Sequence, residues 1–332
     1  MSEPAGGRAL AVRKPGALAL RPSIALALGG GGARGLAHIL MLEVFDELGL
    51  KPKIIAGTSI GAVFGAAYAS GYSAAAIRAH AEEVLSQRLD IARLLLAARA
   101  EPIMKFLNVL PVRFALFKAE PLLEQLLPSR VARDFATLQI PLRVVATDFY
   151  AQEQVVLSQG RLRTAVAASM ALPAIFTPVV SEGRTLMDGG LVNPLPFDVI
   201  REAADITVAI DVSGASTGPG KHPQPSAFSA LMTSSQILQR SIVREKLKAE
   251  QPDIYIDVEV DEFHVLQFHR FKAVLEAATP AKAKLRRQLL RVLASQTVET
   301  LPPAPEPAQG QGQGQGKKRL GRLKRLARGR RS

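Results

Sequence analysis

The sequence predicts an α/β fold with a mostly parallel central sheet and helices on both faces. Three observations predict it. Residues 23–70 read strand, helix, strand, helix, the order of parallel strands joined by crossing helices. Four further strand-like runs recur later, at 140–149, 185–190, 205–214 and 252–260. With 332 residues and 48% apolar composition, the chain has material for one large α/β domain or two small ones.

Residues 1–22 read as a flexible arm. Arg13, Lys14 and Pro15 interrupt the best apolar segment there, so the arm does not read as a signal peptide. "SIALALGGGG" (23–32) begins as a strand and runs into glycines. Residues 33–50 carry apolar side chains at helical spacing (Leu36, Ile39, Leu40, Val44, Leu48), with Gly49 as the stop. Residues 52–57 make a second strand and 60–70 a second helix. Residues 73–139 are mostly helical, and the stretch 103–117 is conspicuously apolar, broken by Pro111. Residues 161–172 form a helix stopped by Pro173. Thr279-Pro280 opens a last helix over 280–296. Residues 301–316 are Pro-rich and then Gln-Gly repetitive, a linker without apolar content to pack. The expected organisation is an arm (1–22), one main folded domain (23–299), a linker (300–316) and a basic tail (317–332).

The net charge of +13 belongs mainly to that tail. Residues 317–332 hold nine Lys or Arg and no acid; without them the chain has 33 basic residues against 29 acidic ones. There is no cysteine, hence no disulfide and no thiolate metal site, which fits a reducing compartment. No uncharged apolar run reaches the roughly 18 residues of a membrane span. The expected location is therefore cytoplasmic, peripheral at the inner face of the membrane. The tail would contact anionic lipid there, a reading preferred to a merely solvated tail and to non-specific nucleic-acid binding.

Gly57, Ser59 and Gly61 form G-x-S-x-G. A strand precedes them (Ile54-Ile55-Ala56) and a small-residue helix follows, the context of a strand-to-helix elbow that exposes a nucleophilic serine. The alternative is a serine in a tight turn. A nucleophile needs a base. Histidine is the familiar one, and the chain offers His38, His80, His222, His264 and His269. His222 lies in a Pro/Gly-rich loop; His264 and His269 read as partly buried and satisfied. A better partner is Asp188 in "TLMDGG", at a strand end and followed by Gly189 and Gly190. A carboxylate takes a serine proton directly when desolvation raises its pKa. The same residues also suit an Asp-Gly turn. Asp148 is a rival, also ending a strand, and Asp211 a weaker one.

Gly30, Gly32 and Gly35 fit G-x-G-x-x-G between a strand and a helix. A dinucleotide enzyme also needs an acid at the end of the second strand, where this chain has Ala56-Gly57-Thr58-Ser59. The alternative use of Gly30, Gly31 and Gly32 is an anion cradle beside Ser59, an oxyanion hole. Arg34 adds a nearby positive charge there or forms a salt bridge with a neighbouring acid.

Taken in order, "GGGARG" (30–35), "GTSIG" (57–61), "ASMALPAIFTPV" (168–179) and "DGG" (188–190) resemble the patatin-like phospholipases, closest to the compact bacterial members. The resemblance covers roughly residues 23 to 280. "RVVATD" (143–148), "LVNPLPFDV" (191–199) and "ADITVAIDVSG" (204–214) agree with it. It implies a three-layer α/β/α sandwich. It also implies a Ser59–Asp188 dyad without histidine and an oxyanion loop at Gly30–Gly32 with its basic residue at Arg34. Acyl esters of glycerolipids are the implied substrates, and no metal or organic cofactor is required. One departure is Ile39-Leu40, where similar proteins carry a glycine. Under this resemblance, apolar residues around 91–117 line an acyl pocket or a lid, or else are helical core. The competing function is a catalytically idle lipid-binding or lipid-sensing protein. The resemblance does not extend to the tail, and the oligomeric state is not legible.

Overall fold

A computed structural model describes residues 22–86, 117–214 and 227–299. Within them, eight strands form one sheet. Five are parallel neighbours in the order β8 (Ile254–Asp257), β7 (Ile206–Asp211), β1 (Ile24–Leu28), β2 (Ile54–Thr58) and β3 (Leu142–Asp148). Three short strands join antiparallel: β4 (Glu153–Leu157) and β6 (Arg184–Asp188) on β3, and β5 (Val179–Ser181) on β6. The mostly parallel sheet expected from the sequence is present, with an antiparallel extension.

The register explains how distant residues meet. Val144 of β3 pairs with Gly57 of β2 and Leu157 of β4; Ala146 pairs with Asp188 of β6 and Val155 of β4. So β4 occupies one edge of β3, while β2 and β6 share the other edge, end to end. β2 runs parallel to β3 and β6 antiparallel to it. Their C-terminal ends therefore face each other, Thr58 toward Asp188.

β1 shows why the sheet has two covered faces. Its Ile24, Leu26 and Leu28 pack into the larger core, while Ala25 and Ala27 face the smaller one. On the larger side lie α1 (His38–Glu47), α2 (Ile60–Ala69), α3 (Ala74–Ser86), α4 (Ala119–Leu126), α5 (Leu162–Ser169) and, further along the chain, α7 (Phe271–Glu299). On the other side the alanines admit a close layer: Leu195, Phe197, Ile200 and Val243, the last from α6 (Ala227–Ala249). This is the three-layer arrangement.

Several expectations shift. The first helix starts as a 3-10 turn, Gly32–Ala37, before α1. The last helix opens at Phe271, not at Pro280, which lies inside it. Buried Val274, Leu275, Ala278, Ala281, Leu285 and Leu289 form one continuous packed stripe across the proline, and that packing outweighs the local stop signal. Thr279 Oγ1 also donates to the Leu275 carbonyl at 3.2 Å. Strands β4 and β5 and helix α6 were not legible. The linker, the tail, nearly all of the arm and the apolar stretch up to residue 116 lie outside the described residues.

Candidate active site

Ser59 sits between β2 and α2 with φ 54° and ψ −123°. A non-glycine residue there carries strain on the order of 1–3 kcal/mol, held by its surroundings. The following turn is tight: a Cβ on Gly61 would lie 2.1 Å from the Leu28 carbonyl oxygen. Gly57 lies against Ala62 in the same turn, and Gly35 packs on Ile60.

The Ser59 hydroxyl donates to Asp188 Oδ2 at 2.7 Å. The other oxygen of Asp188, Oδ1, accepts from the Gly190 N–H at 2.7 Å. Asp188 is only 3% exposed. Burial pushes its carboxyl up to about 6, although the bonds from Ser59 and Gly190 pull the other way. Its backbone is fixed as well: its N–H donates to the Ala171 carbonyl at 3.1 Å, and its carbonyl accepts from Thr147 Oγ1 at 2.8 Å. Gly189 rests on the Val145 carbonyl.

The rival acids have other roles. Asp148 Oδ1 accepts from the N–H groups of Tyr150 and Ala151, closing the turn into β4. Asp211 accepts from the Ser213 N–H and the Tyr255 hydroxyl. His264 and His269 are exposed rather than partly buried. His222 lies outside the described residues. His38 is fully buried, and burial pushes it down to about 4, so it is neutral near pH 7. It therefore carries the proton on Nε2 and donates it to the Gly29 carbonyl at 2.8 Å, tethering the start of the glycine loop.

The three loop glycines are not equivalent. Gly30 gives its N–H to the Pro194 carbonyl at 2.9 Å. Among the described residues, the N–H groups of Gly31 and Gly32 have no partner. They start the 3-10 turn and line the cleft that holds Ser59 and Asp188. A Cβ on Gly31 would lie 2.5 Å from the Val212 carbonyl oxygen, so glycine lets this backbone lie directly on β7's extension. Arg34 is buried; its Nη1 donates to the Ser213 carbonyl, and burial pushes it down to about 10 against the opposing pull of Asp261 and Asp211. Arg34 thus fastens the loop to the chain after β7 and lies near Asp261 and Asp211.

The sequence reading missed three supports. The Ser59 N–H donates to Ser169 Oγ at 2.8 Å, and Ser169 Oγ donates to the Val145 carbonyl at 2.6 Å. The Asn193 carbonyl accepts from Thr58 Oγ1 at 2.8 Å, so residues 193–194 hold both the serine turn and the glycine loop. Lys246 of α6 pins that segment, donating to Asn193 Oδ1 at 2.6 Å, to the Leu195 carbonyl at 3.0 Å, and to Asp198. The motifs "ASMALPAIFTPV" and "LVNPLPFDV" contained Ser169 and Asn193, but nothing local assigned them a role, and Lys246 stands in no motif.

The cleft above Ser59 measures about 1020 Å³, counting its open mouth. Its walls are mainly apolar, among them Leu122, Met170, Ile175, Phe176 and Met232. It opens at the carboxyl ends of β1 and β2, where open α/β sheets place their ligands. Among the described residues, no group of three His, Cys, Asp or Glu is placed to hold a metal ion. None of the described helices is long and apolar enough to cross a membrane.

A serine on a strand-to-helix elbow, 2.7 Å from a buried acid, set on a sheet covered by helical layers on both faces, defines a three-layer α/β protein. Within that class the chain belongs to the patatin-like phospholipase family, whose sequence model matches residues 26–201, just over half of the chain. A Mycobacterium tuberculosis protein described as an uncharacterized NTE family protein is 37% identical over 216 residues, covering 64% of this chain and 56% of the relative. The human patatin-like phospholipase domain-containing protein 6 is 33% identical over 193 residues, covering 57% of this chain and 13% of its own length. The chain thus spans just over half of the mycobacterial relative and a small part of the human one. Among solved structures, VipD from Legionella pneumophila superposes with a TM-score of 0.41 at 15% identity, over 80% of this chain and 67% of that one. Human GIVD cytosolic phospholipase A2 with a fluorophosphonate inhibitor and terbium chloride gives 0.41 at 13% identity, over 83% and 59%.

Proposed function

We propose that this protein is a serine esterase that hydrolyses acyl esters of phospholipids, lysophospholipids or related lipids. The observation that carries the reading is the 2.7 Å bond from Ser59 Oγ to Asp188 Oδ2 at the base of an apolar cleft. Asp188 accepts the Ser59 proton as Oγ attacks the ester carbonyl. The tetrahedral oxyanion forms toward the Gly31 and Gly32 N–H groups, with Gly30 as the side-chain-free wall beside Ser59. Asp188 returns the proton to the leaving alcohol. A water, deprotonated by Asp188, then releases the acid from the acyl-enzyme. The apolar walls suit a hydrocarbon chain, and family membership supports a lipid ester as substrate.

We further propose that the basic segment 317–332 sits on anionic membrane and keeps the domain 23–299 at its substrate, with 300–316 as the spacer.

The test is labelling with a fluorophosphonate probe together with hydrolysis of a soluble short-chain ester. Wild type is expected to label at Ser59 and turn over; Ser59→Ala is expected to do neither. Asp188→Asn is expected to lose turnover by orders of magnitude while remaining folded. A folded Asp188→Asn with normal turnover overturns the dyad. A wild type that binds lipid but neither labels nor hydrolyses identifies a lipid-binding protein instead.

A further inference from the structure

We infer that a second cavity, behind the cleft, receives the distal part of a long acyl chain whose ester lies at Ser59; this rests on the esterase reading above. The cavity encloses about 480 Å³ of space between atoms, counting its open mouth, but has free room for little more than a water molecule, so a chain enters only as the lining moves aside. It lies among α2, α3 and the end of α4. Ile60, Leu126 and Phe268 line both this cavity and the cleft of Ser59, so these three side chains form the wall between them. Ile60 directly follows Ser59 in the chain. A hydrocarbon that leaves the ester carbonyl along Ile60 is led to that wall.

The lining says what the cavity takes. Among the described residues, His80 is the only polar side chain in it; the others include Val63, Ala67 and Ala81. His80 Nε2 has no hydrogen-bond partner in the structure. One ring nitrogen does not match the several polar groups of a lipid headgroup, whereas a methylene chain meets apolar surface along the whole length. The wall is made of chain ends rather than of the middle of a packed element. Leu126 is the last residue of α4, and Phe268 begins a single 3-10 turn, Phe268–Arg270. Displacing Phe268 joins the two cavities. The consequence is a preference for long acyl chains that the cleft alone does not explain.

The test compares kcat/KM for p-nitrophenyl esters from butyrate to palmitate, using the full chain. Ala67→Phe fills the cavity from α2, and Ala81→Phe fills it from the less buried α3, which guards against a fold lost by overpacking. Each is expected to lower the palmitate-to-butyrate ratio about tenfold, the factor that two buried methylenes are worth. Phe268→Ala opens one third of the three-residue wall and is expected to raise the ratio. Butyrate hydrolysis should remain near wild type in Ala67→Phe and Ala81→Phe, which lie outside the cleft of Ser59. A ratio unchanged in the folded variants overturns the proposal, as does an equal loss at every chain length. If wild type hydrolyses none of the esters, the esterase reading falls and this one with it.

Discussion

Ser169 holds the backbone of Ser59: its Oγ receives the Ser59 N–H at 2.8 Å and hands its own proton to the Val145 carbonyl at 2.6 Å. Ser169 is fully buried, so no water replaces it there. The strained φ of Ser59 depends on this bond from one side and on Thr58–Asn193 from the other.

Ser169→Ala should therefore cost more than a hydroxyl usually does. It orphans a buried donor and a buried acceptor, each worth about 1–3 kcal/mol. Thermal unfolding should show a clear drop in Tm. In the fraction that remains folded, kcat should fall while KM changes little, because the cleft walls are untouched. A destabilised variant with normal kcat would show that Ser169 supports the fold but not the orientation of Ser59.

With Asp188 as the proposed base, its buried state predicts the pH dependence. With its carboxyl raised to about 6, it is protonated below that pH and cannot accept the serine proton. Hydrolysis of a non-ionising soluble ester should fall as pH drops through about 6. An acid limb near 4 would contradict the desolvated base. Stability runs the other way. A carboxyl raised in the fold favours the native state below its unfolded value near 4, and that advantage disappears as pH rises through about 6. The difference is about 3 kcal/mol, at 1.36 kcal/mol per pH unit. Asp188→Asn should thus melt higher than wild type at pH 8, with the gap closing toward pH 4.

The glycine loop separates into two kinds of position. Gly31→Val places a Cβ 2.5 Å from the Val212 carbonyl oxygen. It should lose stability before it reports on turnover. Gly30→Ala has its nearest neighbour, Ser59 Cβ, at 3.5 Å and should fold normally, with reduced turnover from crowding at the nucleophile. Equal melting temperatures for the two variants would show that the loop has room to move off β7.

For the tail, the expected outcome is salt-sensitive binding. The full chain should sediment with anionic vesicles at low salt and much less at about 0.5 M salt, where charge interactions reach only a few ångströms. Truncation after residue 300 should abolish most of this binding and leave soluble-ester hydrolysis unchanged. If soluble-ester hydrolysis is lost as well, the segment belongs to the folded domain.

The fold was legible where the sequence repeats a physical pattern. Continuous apolar runs at β1, β2, β3 and β7 and the helical spacing of α1 left little choice. β4 was not legible because "EQVVL" is mostly exposed: only Val155 of the five is buried. Pro280 misled because a local stop signal carries no information about the packed stripe on both sides of it. Ser59 was nameable from its G-x-S-x-G context, whereas Asp188 was set apart from an Asp-Gly turn and from Asp148 only by the resemblance to the patatin-like phospholipases. Ser169, Asn193 and Lys246 act on backbone atoms far away in sequence, and no local pattern records which carbonyl a side chain will reach.

The end-to-end placement of β2 and β6 beside β3 has a consequence for timing. Ser59 and Asp188 lie 129 residues apart. During synthesis the serine leaves the ribosome long before its acid exists, and the acid reaches it only when β6 closes onto β3. A nascent or truncated chain that ends before residue 188 carries the serine without its base. On the proposed mechanism, hydrolytic activity would come only from chains whose sheet is finished.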